Sequence, residues 1–76
     1  MLLLFAQARE AAGTKNAIVD GDTVGEVLDA AVRRFGGDLE RLLPHCRVWL
    51  NGEPADRDDK VAPADEVAVL PPVSGG

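Results

Sequence analysis

Thr23–Gly37 reads TVGEVLDAAVRRFGG, and its periodicity sets the class of the fold. Val24, Val27, Leu28, Ala31, Val32 and Phe35 recur at intervals of three and four, which places them on one stripe of an α-helix. Glu26, Asp29, Arg33 and Arg34 fall off that stripe. Thr23 is a suitable N-cap, and Glu26 three residues later completes a capping box. Gly25 weakens the first turn by about 1 kcal/mol relative to alanine. Gly36-Gly37 predicts a left-handed stop. A helix with one apolar face needs a sheet to lie on.

Strands are found on both sides. Leu2–Ala6 is a continuous apolar run, which predicts a central strand covered on both faces. Gln7–Gly13 is polar and alanine-containing, runs into Gly-Thr, and is expected to be a hairpin connection. Lys15–Asp20 (KNAIVD) reads as a second short strand, stopped by Gly21-Asp22 and pairing antiparallel with the first. After the helix, Asp38–Leu43 has room for one further helical turn before Pro44. Arg47–Asn51 (RVWLN) is the third strand, and Asn51-Gly52 is a tight-turn signal. Val48 and Leu50 share one face of it; Arg47, Trp49 and Asn51 share the other. Pro54 restricts its own segment to an edge or very short strand. Arg57–Asp65 is a polar connection anchored by Val61, and Glu66–Leu70 is the last strand.

The first and last strands are the most apolar and are expected at the centre, side by side. The order strand, strand, helix, strand, short strand, strand belongs to an α+β architecture, the β-grasp or ubiquitin-like fold. It has a mixed sheet of about five strands on one main helix, with one sheet face left uncovered.

The chain has 76 residues, enough for a single domain. We assign 1–70 to the β-grasp body and 71–76 to an extended tail. One cysteine and one histidine, Cys46 and His45, rule out an internal disulfide and are too few for a structural zinc site, so packing must hold the fold. The net charge of −5 and the lack of a basic cluster argue against nucleic acid or an anionic membrane as partner. The opening MLLLFAQARE has no basic region before its short apolar run, so a cytoplasmic location is expected.

The ending, VAVLPPVSGG over Val67–Gly76, does more than complete a strand. No charged side chain occurs after Glu66. Pro71-Pro72 favours extended polyproline II geometry, so the tail should project from the body. Six residues from Pro71 span roughly 20 Å when extended. Gly75-Gly76 lacks Cβ atoms and can follow a channel too narrow for other residues. The functional group is expected to be the α-carboxylate of Gly76. A disordered linker is the plain alternative for the same composition.

FAQAREAAGT at Phe5–Thr14, NGE at Asn51–Glu53, the DEVAVLPPVSGG ending and the overall length resemble the small subunit of molybdopterin synthase, in the MoaD branch of the MoaD/ThiS sulfur carriers. The resemblance implies a carrier that is a co-substrate and not a catalyst. An E1-like adenylyltransferase would use ATP to adenylate Gly76, and a sulfur-donating enzyme would convert it to a thiocarboxylate. The tail (Pro71, Pro72, Val73, Ser74, Gly75) would then thread into the active site of the large subunit. There the sulfur would pass to cyclic pyranopterin monophosphate.

No tightly bound cofactor is implied, ATP and zinc belong to the partners, and the assembly would be a hetero-oligomer. Trp49, Val69 and Leu70 are the expected partner interface. Many members carry aromatic residues just before the prolines, where this chain has Val69-Leu70. Delivery of sulfur to thiamine, cysteine or another product, isopeptide modification of proteins through Gly76, and an inert binding module are the alternatives.

Other candidates are weaker. Cys46 beside His45 suggests a nucleophile and base, but neighbours in a strand point to opposite faces. A structural cysteine and a loop histidine are the expected roles. Asp56, Asp58 and Asp59 lack the spacing of a calcium loop and are expected to be solvated. Trp49 fits either edge core or an anchor on the open sheet face.

Overall fold

In the computed structural model, which describes residues 1–72, strands β1 (Leu2–Leu4), β2 (Asn16–Ala17), β3 (Arg47–Leu50), β4 (Glu53–Pro54) and β5 (Val67–Leu70) form one sheet in the order β2-β1-β5-β3-β4. β1 runs parallel to β5, with Leu2, Leu3 and Leu4 opposite Val67, Ala68 and Val69. The other pairings are antiparallel. The most apolar strands therefore lie together, as the sequence predicts. β4, which holds Pro54, is a two-residue edge. A proline there removes a donor that no further strand needs.

Helix α2 (Val24–Phe35) covers one face. Its stripe is buried at Val24, Val27, Leu28 and Ala31 and half-buried at Val32 and Phe35. Beneath it lie Leu2, Leu4, Val67 and Val69, each at most 2% exposed. Thr23 Oγ1 accepts the Glu26 N–H at 3.2 Å, as a cap should. Glu26 reaches back to the N–H of Asp22, one residue before the cap, at 3.4 Å.

The first free N–H groups of α2 go to the loop after β4: Val24 donates to the Asp59 carbonyl and Gly25 to that of Arg57, both at 2.9 Å. A Cβ on Gly25 would stand 3.2 Å from the Arg57 carbonyl oxygen. The helix-weakening glycine is thus the point where loop and helix meet. Val61 half-buries against the core, the anchor expected of it.

Four expectations need correction. Gln7–Gly13 is not a hairpin connection: Ala6–Ala12 is a helix, α1. Its sequence AQAREAA is built from strong helix formers. Ala8 buries completely, and Gly13 (φ 78°) closes the end, its N–H donating to Arg9. The first strand ends at Leu4 and is covered on one face only, since Leu3 is half-buried and Phe5 is 46% exposed. The second strand keeps just Asn16 and Ala17 of the expected Lys15–Asp20. At Gly36 the stop has φ 100° but ψ −170°, not the left-handed helical value. It is a one-residue break before α3 (Gly37–Leu42), which continues into a 3-10 turn at Leu43–His45. No helix among the described residues is long and apolar enough to cross a membrane.

Candidate functional site: the tail exit and the open sheet face

β5 lies between β1 and β3 and is hydrogen-bonded along both edges. Its last paired residue, Leu70, faces Arg47. The Phe5 N–H adds a bond to the Val69 carbonyl at 3.2 Å. Pro71 comes next, half-buried, and then Pro72, exposed. The tail therefore leaves from the fixed centre of the sheet, at the end where α1 begins. Val73, Ser74, Gly75 and Gly76, the remaining tail residues, lie outside the described residues.

Beside this exit is the face that α2 leaves bare. Register aligns Leu3, Ala68, Trp49 and Pro54 in one row across four strands, and Leu70 with Arg47 in the next. All six side chains are half-buried or exposed. Val48 and Leu50 go to the core while Trp49 does not, which decides its two readings for the open face. Leu70 shares that face. Val69 does not: it is 0% exposed, on the α2 side, and has no surface to offer a partner. A strand alternates, so adjacent residues cannot serve one interface. Sequence reasoning passed over Leu3 and Phe5, because an unbroken apolar run carries no alternation to set them apart from Leu2 and Leu4.

The remaining candidates are structural. The Cys46 thiol donates to the Leu42 carbonyl at 3.3 Å, and burial pushes its pKa up, the opposite of what a nucleophile needs. His45 is exposed at the end of the 3-10 turn. Asp59 accepts the N–H of Asp56 at 2.8 Å, which makes a turn. No cluster of three or more His, Cys, Asp or Glu side chains suited to a metal occurs among the described residues. The site can thus do two things: hold a tail rigidly at its root, and offer an apolar sheet face next to it.

The ThiS family profile matches residues 2–76. Small archaeal modifier protein 1 of Haloferax volcanii is 45% identical, over 96% of this chain and 95% of that protein. Its crystal structure superposes with a TM-score of 0.82 at 42% identity, covering 99% and 96% of the two chains. The molybdopterin synthase sulfur carrier subunit of Arabidopsis thaliana is 36% identical over 99% of this chain and 80% of that one. The crystal structure of the Amycolatopsis orientalis BexX/CysO complex contains a chain of the same fold, with TM-score 0.79, 25% identity and full coverage of both chains.

Proposed function

The chain belongs to the ThiS family, and from that premise we propose that it is the sulfur-carrier subunit of a molybdopterin synthase, working through the α-carboxyl of Gly76. The observation that carries this reading is the root of the tail: β5, paired on both sides, delivers Pro71 and Pro72 beside an open apolar face.

A carboxylate is a poor electrophile, so an E1-like enzyme spends ATP to make the acyl-adenylate. A donor enzyme's persulfide displaces AMP to give an acyl disulfide. A second thiol then attacks the donor's sulfur, releasing the thiocarboxylate and leaving a disulfide on the donor side. Docked by Trp49 and Leu70, the body holds the tail in line with the active site of the large subunit. Val73, Ser74, Gly75 and Gly76 bring no charged side chain with them, so the terminal group that reacts is the one charge these residues carry into the partner. ATP and any catalytic side chains belong to the partners.

The test is reconstitution. Thiocarboxylated chain, the large subunit and cyclic pyranopterin monophosphate should together yield the dithiolene product. The same mixture with Gly76 deleted should yield none. Product formed without Gly76 would sink the reading.

A second reading, protein modification through Gly76, is favoured by the 45% identity to a protein named as a modifier. It predicts conjugates on immunoblots that disappear when Gly76 is deleted. Persistence of the conjugates in that variant would exclude it.

A further inference from the structure

The tail leaves from one end of β5; the other end opens on a hollow that neither the tail nor the open face explains. Met1 and Ile18 are two of the three large hydrophobic side chains exposed among the described residues, at 45% and 76%. Both line one depression of about 360 Å³, together with Val61 and Val67. Asp20 and Asp22 stand in its wall, and neither forms an ion pair among the described residues. The Met1 ammonium is turned to the Asp65 carbonyl at 2.8 Å. The hollow is preformed: the Val61 N–H donates to the Asp22 carbonyl at 2.9 Å, and the Val67 N–H to the Met1 carbonyl at 2.9 Å.

We propose that this hollow docks a segment of a protein partner that presents an apolar side chain flanked by Lys or Arg. Burying Ile18 and Met1 is a favourable contribution that the isolated chain leaves unused. Unpaired carboxylates beside them select a basic flank over an acidic one. A second copy of this chain fits poorly, because a self-complementary contact would bring two acidic rims together in a protein of net charge −5. Val67 lines the hollow and Leu70 marks the tail exit, roughly 10 Å further along β5. A partner seated here leaves Trp49 and the tail free. The body can then stay held by one protein while the tail enters the active site of another. This inference does not depend on what the tail carries.

The test is a nuclear magnetic resonance titration of the full chain, ¹⁵N-labelled, with an acetylated and amidated Lys-Leu-Leu-Arg peptide. Shifts should concentrate on residues 18–22, 61–63 and 67. An Asp20→Asn, Asp22→Asn double variant should bind about fivefold more weakly. Ile18→Ser should weaken binding about tenfold, with resonances elsewhere unchanged because Ile18 is exposed. The proposal is overturned by shifts on the Trp49 face instead, by equal binding of a Glu-Leu-Leu-Glu peptide, or by no shifts at all.

Discussion

Trp49 and Ala68 sit opposite each other across the β3–β5 ladder, on the side of the sheet that α2 leaves bare. The large aromatic is half-buried beside the smallest side chain in its row, one residue from the strand position that carries the core. Trp49→Ala should therefore cost the isolated chain about 1 kcal/mol or less. The complex with the large subunit should weaken by about 2 kcal/mol or more, near thirtyfold, as for an interface anchor. Calorimetric titration against that subunit checks it; unchanged affinity removes Trp49 from the interface.

Val69 and Leu70 are neighbours with opposite duties. Val69→Ala leaves a cavity under α2 and should lower unfolding stability by about 2 kcal/mol, with partner affinity intact once folded. Leu70→Ala should reverse the pattern, sparing stability and weakening the complex. Urea unfolding and titration of both variants would separate the two faces. Equal effects on stability would show that the assigned faces are wrong.

Gly21 precedes α2 where the chain passes close behind it. A Cβ there would meet the Val27 backbone nitrogen at 2.7 Å and its Cγ2 at 2.9 Å. Backbone cannot move aside as a side-chain tip can. Gly21→Ala should destabilise the chain by about 1–3 kcal/mol, measured as a lower urea midpoint at unchanged slope. A midpoint equal to that of the parent chain would contradict this.

Much of this architecture was legible in the sequence, because α2 is long enough to repeat its apolar stripe and Thr23 with Glu26 marks its start. The parity of Val48, Trp49 and Leu50 was legible for the same reason: an alternation of period two has one reading. α1 was not. Its seven residues complete too few turns to show a repeat, and its one buried residue is a small alanine, Ala8, amid polar ones. The reason for Gly25 lay beyond reach as well, since the Arg57 carbonyl that needs the space is 32 residues away in sequence. At the candidate site, PPVSGG pointed to the tail, while the sulfur chemistry came from family resemblance and not from any geometry. Val69 was misplaced through treating consecutive strand residues as one surface.

Asp65 gives the fold a pH dependence with a definite sign. Its carboxylate accepts the Ala62 N–H at 2.9 Å and the Asn51 amide at 3.0 Å, and these bonds hold its pKa below the ordinary value. A depressed carboxyl stabilises the fold above its unfolded pKa, and that contribution is lost as pH falls through the folded one. Asp65→Asn should therefore be less stable than the parent at neutral pH, with the gap closing as pH drops below about 4. Denaturant midpoints across that range check it; a gap that widens on acidification would contradict the assignment.

The central claim is that Gly76 carries the sulfur. The direct measurement is the intact mass of the chain after incubation with ATP, a sulfur donor and its E1-like enzyme, with fragmentation to locate any change. The account predicts a species heavier by one sulfur-for-oxygen exchange, mapped to Gly76. A chain that keeps its free carboxylate under those conditions would contradict it.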